Sequence, residues 1–167
     1  MKKLILICGP NGVGKTTLCK ALHNNLLNSA LVEPELCTMI NPFRLNDDIG
    51  SLTISNITHL LRNYLNCSSV DYVIFNYGLH GLRSMIFKKV MENLKDTKFE
   101  FVPFSIKCDE NENIKRMIKD ERDEERIQRA LSYRSIYEQL EYPVIDTTSL
   151  TVEKTVERVL QQLNATN

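Results

Sequence analysis

Residues 3–16 read KLILICGPNGVGKT. Residues 3–8 form a continuous apolar run that stops at a glycine, which predicts a strand buried on both faces of a parallel sheet. Past the glycines, Leu18, Leu22 and Leu26 recur at helical spacing and predict a helix over 15–28, and residues 30–32 return to strand character. This βαβ unit places the first strand inside the sheet rather than at its edge.

The alternation continues outward from that unit. Ile57, Leu60, Leu61, Tyr64 and Leu65 lie on one stripe of a helix over 46–66, and 70–75 is the next apolar strand. Leu82, Ile86, Val90 and Leu94 predict a helix over about 79–94, followed by a strand over 101–108 in which Pro103 points to an edge position or a bulge. Asp109 and Glu112 have the spacing of a capping box for a helix carrying Ile114, Met117 and Ile118. A charged stretch interrupts at 119–125, and helical character resumes through Ile127, Leu131 and Leu140 until Pro143. A short strand at 144–145 and a final helix striped by Val152, Val156, Val159 and Leu163 complete the chain. The expected fold class is α/β, a three-layer sandwich with a five-stranded parallel sheet and right-handed crossovers. One domain over residues 1–167 is expected, because no linker or internal repeat divides the chain.

Charge narrows the partners. Lys plus Arg and Asp plus Glu are both 21, so no overall positive field draws the protein to nucleic acid or to an anionic membrane. The apolar run 4–8 is far too short to span a bilayer, and the glycine turn behind it does not resemble a signal-peptide cleavage region, so a cytoplasmic location is expected. The five cysteines are scattered, without a C-x-x-C pair, and are read as reduced and mostly buried thiols.

The segment GPNGVGKT at 9–16 fits G-x-x-x-x-G-K-[ST], with a strand before it and a helix after it. Backbone N–H groups that curl around phosphate oxygens need small residues, and Gly9, Gly12 and Gly14 meet that need. Lys15 can reach the β- and γ-phosphates, Thr16 can offer its hydroxyl to Mg²⁺, and the helix start points its positive end at the anion. The candidate nucleotide-binding set is Gly9, Asn11, Gly12, Val13, Gly14, Lys15, Thr16 and Thr17, with Thr16 as the metal ligand and ATP with Mg²⁺ as the expected ligand. The guanine motif N-K-x-D of a GTPase is absent. The strand VIFNY has Asn76 where an acidic residue would follow in a motor ATPase, and Asp71 stands at its other end, roughly 3.3 Å per residue away.

On these motifs and the order of elements, the chain resembles the small P-loop kinases: shikimate and gluconate kinases, the chloramphenicol phosphotransferases and, more distantly, the nucleoside monophosphate kinases. The resemblance implies the P-loop NTP hydrolase fold and spans nearly the whole chain, with the P-loop as its specific match. Glu33-Pro34-Glu35 looks like the D-x-D pair that ends the second strand in shikimate kinases; each glutamate lengthens the arm. A carboxylate at that edge can accept the acceptor's hydroxyl proton, so Glu35 is read as base or orienting residue and Glu33 as its support. The resemblance also implies a mobile lid at about 119–126, with Arg122 and Arg126 closing over the phosphates. It places Arg116 against adenine, beside the loop at 145–150. The charged run by itself also fits a solvated helix face with i, i+4 pairs.

Candidate acceptor-binding residues are Arg44 in INPFR, and Tyr77, His80 and Arg83 in NYGLHGLR, which could bind an anionic or hydroxyl-rich molecule; a lone histidine near a helix start also fits a local cap. MINPF and NYGLHGLR are similar to segments of uncharacterised bacterial members of this group. The expected function is phosphotransfer from ATP to a small hydroxyl-bearing acceptor, by a monomer or homodimer with no membrane or nucleic-acid partner. A nucleoside, nucleotide or polynucleotide 5'-kinase is the neighbouring alternative, and a non-catalytic ATP-binding switch the more distant one.

Overall fold

The computed structural model describes residues 1–42 and 46–165. Five parallel strands, β1 (Lys3–Cys8), β2 (Ser29–Val32), β3 (Tyr72–Asn76), β4 (Glu100–Lys107) and β5 (Val144–Asp146), pair in the order β2-β3-β1-β4-β5. The helices are α1 (Lys15–Asn25), α2 (Asp47–Asn66), α3 (Leu82–Asn93), α4 (Glu110–Lys119), α5 (Glu124–Ser132), α6 (Arg134–Glu138) and α7 (Val152–Ala165), with a 3₁₀ turn at Pro34–Thr38. β1 is central, as its unbroken apolar character requires.

Period-two alternation along β1 divides the core. Ile5 and Ile7 face α1 and α7, packing with Leu18, Cys19, Leu22, Val156, Val159 and Leu163. Leu4, Leu6 and Cys8 face the other side, with Ile57, Leu61 and Leu65 of α2, Val90 of α3 and Leu94 just beyond it. Helices therefore cover both faces, and the connections from the neighbouring strands β1 and β3 run in opposite directions, from β1 to β2 on one side and from β3 to β4 on the other. A crevice opens at such a reversal, beyond the carboxyl ends of the strands.

Several local expectations change. β4 lies between β1 and β5, so it is no edge strand, and its register with β1 runs unbroken through Leu6↔Pro103, without a bulge. Pro103 is tolerated because β5 pairs only with Ser105–Lys107. The Ser105 N–H donates to the Pro143 carbonyl, so the missing donor two residues earlier faces the side that β5 has not yet reached. α3 begins at Leu82 rather than 79, because Gly81 at φ 55° holds the preceding residues out of the helix. The continuous helix expected after Glu125 is two helices, α5 and α6, meeting at Tyr133. Of the expected lid only 120–123 is non-helical, and Arg126 sits in the first turn of α5, whose Asp123 cap accepts its backbone N–H at 2.8 Å. Among the described residues, no helix is long and apolar enough to cross a membrane. Cys8, Cys19 and Cys108 are buried, while Cys37 is half-buried and Cys67 exposed.

Candidate functional site

At the crevice beyond β1 lies a cleft of about 610 Å³, lined by the loop 11–18 together with Glu35, Asn76, Arg83, Arg122 and Thr147. Its floor is the glycine loop. Gly9, Gly12 and Gly14 have φ of 148°, 83° and 97°, a region that L side chains rarely adopt. The glycines also serve packing behind the loop: a Cβ on Gly9 would come within 2.3 Å of the Ile106 carbonyl oxygen, and one on Gly12 within 2.4 Å of Met117 Cγ. At Gly14 the nearest such neighbour is Arg116, 3.9 Å away, so that side is open to the cleft.

A polar frame from α4 and α6 fastens the loop from outside. Asn113, fully buried, donates through Nδ2 to the Asn11 carbonyl at 2.9 Å and accepts at Oδ1 from Arg134 at 2.9 Å. Arg134 also donates to the Cys108 carbonyl, at 2.9 Å. Arg116 donates to the Val13 carbonyl at 3.1 Å and to the Thr147 carbonyl at 2.9 Å, while Glu112 holds its Nε at 2.8 Å. The expected capping box is thus half made: Asp109 accepts from the Glu112 N–H at 2.7 Å, but its own N–H goes to Thr148 Oγ1 at 2.8 Å, leaving the Glu112 carboxylate for Arg116. The sequence reading passed over Asn113 and Arg134, and took Thr147 only as part of the loop at 145–150. One signal was available, since Asn113 stands one helical turn before Met117 on the apolar face of α4.

Lys15 rests on the loop itself, donating to the Gly9 carbonyl at 2.9 Å and the Pro10 carbonyl at 2.8 Å. An ammonium has three donors, so one remains for an anion. Burial, and to a smaller extent the cations Arg83 and Arg122, lower its pKa to about 8. A bound polyphosphate favours the charged form and raises that value. Nucleotide binding should therefore take up close to zero protons through Lys15 at pH 7, and a growing fraction of one proton as pH rises through 8 towards 9. Titration calorimetry at pH 8.5 in buffers of different ionisation enthalpy checks this; heats that do not depend on the buffer would refute it.

The Asn76 amide donates to Thr16 Oγ1 at 3.1 Å, with Asn76 almost wholly buried. The Thr16 hydroxyl keeps a second lone pair, so it fits a divalent cation as a single protein ligand. Among the described residues, no group of three or more His, Cys, Asp or Glu side chains is gathered as for a metal.

Across the cleft, Glu35 rides on the 3₁₀ turn after β2 and pairs with Arg83 at 3.5 Å, both side chains exposed. Glu33 lies at the start of that turn, outside the cleft lining. Tyr77 is buried in the core, stacked on Phe75 with centroids 5.0 Å apart, and Arg83 lies over its ring at 5.8 Å. Burial pushes the Tyr77 hydroxyl up to about 12. Tyr137 Oη accepts from the Leu79 N–H at 2.8 Å and is hydrogen-bonded to His80 Nδ1 at 2.7 Å. Burial, helped by Arg83 and Lys15, lowers the pKa of His80 to about 4. At neutral pH it is a stacked spacer on Tyr133, with centroids 4.3 Å apart, rather than a cation.

Arg122 faces the cleft, and with Arg126, Arg129 and His80 it also lines an adjoining hollow that does not include the loop's Lys15. The structure thus brings Glu35, Arg83 and Arg122 to the cleft with the loop, and sets Arg126 beside it. Arg44 lies outside the described residues.

The sequence profile of an AAA domain (AAA_18) matches residues 5–140, well over half of the chain. The chain belongs to the AAA domain family. No curated protein matches this AAA domain significantly. Among solved structures it is similar to the tunicamycin resistance protein of Deinococcus radiodurans, at 21% identity and TM-score 0.69, covering 98% of this chain and 96% of the other. It is also similar to shikimate kinase from Acinetobacter baumannii, at 15% identity and TM-score 0.66, over 100% and 96% of the two chains. A gluconokinase from Sinorhizobium meliloti matches at 14% identity and TM-score 0.61, over 99% and 97%. The AAA domain therefore has the fold of the small P-loop kinases, and its loop implies nucleotide binding.

Proposed function

We propose that the protein transfers the γ-phosphoryl group of ATP to a hydroxyl of a small molecule. The observation that carries this reading is the meeting of the glycine loop, Glu35 and Arg122 on the walls of one cleft. The loop N–H groups and Lys15 hold the phosphates, and the faces of the Arg116 guanidinium, whose edges are hydrogen-bonded, are left for a planar base. Glu35, oriented by Arg83, takes the proton of the acceptor hydroxyl as that oxygen bonds to the γ-phosphorus. The bond from phosphorus to the β,γ-bridging oxygen breaks, and ADP leaves with that electron pair. Thr16 would hold Mg²⁺ together with the nucleotide, and the ion would supply positive charge at the phosphates. Arg122 neutralises the transferring group.

Arg83 and Arg122 on the acceptor side suit a polar acceptor, and small-molecule kinases with this fold, such as those for shikimate and gluconate, support the reading. A screen of ATP consumption across sugars, hydroxy acids, nucleosides, nucleotides and hydroxylated antibiotics tests it. An acceptor that raises ADP release well above basal hydrolysis and appears phosphorylated by mass spectrometry is the expected result. Tight ATP binding with no phosphorylated product from any class would favour a non-catalytic nucleotide switch.

A further inference from the structure

Asn76 occupies the end of β3, one strand from the loop, where a carboxylate would face both the Thr16 hydroxyl and any metal beside it. A carboxylate there attracts the cation and repels bare phosphate oxygens, so nucleotide and metal become mutually dependent. The amide does neither. It donates to Thr16 Oγ1 at 3.1 Å and fixes the hydroxyl without adding charge. The rest of the cleft is cationic: Lys15, Arg83, Arg116, Lys119 and Arg122 against Glu35 and Asp120. Both carboxylates are already occupied, Glu35 by Arg83 at 3.5 Å and Asp120 by Arg122 at 3.4 Å. Even with Glu112 set against Arg116 the cations are in excess.

From this arrangement we infer that Asn76 uncouples nucleotide capture from metal: the loop binds metal-free ATP about as tightly as Mg²⁺-ATP, and the metal arrives as part of the nucleotide rather than on a protein site of its own. Metal-free ATP carries the larger negative charge and meets an excess of cations, so losing Mg²⁺ costs little at capture. Asn76 acts through Thr16 and the local charge, as a positioning residue. The inference rests on the nucleotide-binding part of the proposed function.

Calorimetric titration of the full chain with ATP in EDTA and in excess Mg²⁺ tests it on binding alone. For the unaltered protein the two Kd values should agree within about threefold; Asn76→Asp should weaken metal-free binding about tenfold or more and recover most of it with Mg²⁺. Loss of more than about tenfold on metal removal from the unaltered protein would overturn the inference, as would an Asn76→Asp variant with the same two constants as its parent. The unaltered protein decides the matter even if the variant does not fold. Failure to bind ATP under either condition would remove the nucleotide reading itself, and this inference with it.

Discussion

Lys15→Met is expected to reduce phosphate transfer by about 10³-fold or more while leaving the fold intact. The side chain is the cation built into the loop, held by two carbonyls of the loop with one donor left over. A pKa lowered to about 8 means that the buried ammonium is less favourably placed than it would be in the unfolded chain. A neutral side chain of similar length therefore removes a cost to folding that is present in full below about pH 8 and fades between there and the ordinary value of 10.5, so at pH 7 the loss of transfer is not expected to come from unfolding. Single-turnover measurements with a productive acceptor, alongside a thermal melt, check both halves. Transfer within a few-fold of the parent would show that Lys15 does not face the reacting phosphoryl group.

Glu35→Gln is expected to lower turnover by roughly 10² to 10⁴-fold with ATP affinity nearly unchanged. Glutamine retains the shape and can still accept from Arg83, but it cannot take a proton from the acceptor. Glu35→Asp separates reach from charge: the carboxylate is kept one methylene further back, so an intermediate rate is expected. Unchanged turnover in Glu35→Gln would end the assignment of Glu35 as base and leave Arg83 as the residue to test. The two substitutions act on opposite walls of the cleft, one on the donor and one on the acceptor.

Much of the donor wall was legible in the sequence because its information is local. An apolar run long enough for a doubly buried strand, three glycines and a lysine–threonine pair within fourteen residues fix strand, loop and helix together. Boundaries set by single backbone conformations were less legible. The late start of α3 follows from Gly81 at φ 55°, and the break at Tyr133 from packing that no periodicity announces. Pro103 illustrates a rule met in detail but not in outline, since its lost donor faces an unpaired stretch of an interior strand.

The supports of the site were hidden for a different reason. Asn113 meets Asn11, and Arg116 meets Val13, across about a hundred residues of chain, and neither pairing leaves a local pattern. Glu35 was readable as a carboxylate after β2, but its pairing with Arg83 needed the 3₁₀ turn that swings it towards α3. His80 reads as a potential cation until its burial against Tyr133 and Tyr137 shows why the ring is neutral.

The packing of Met117 and Asn113 behind Gly12 also bears on how the cradle is made. Its shape is enforced from the rear, by two buried side chains of α4 that do not line the cleft, so preorganisation is completed during folding and little conformational entropy is left to lose on association. Sequence drift in the interior of α4 would then alter nucleotide affinity at a distance, by loosening the mould rather than by removing a contact.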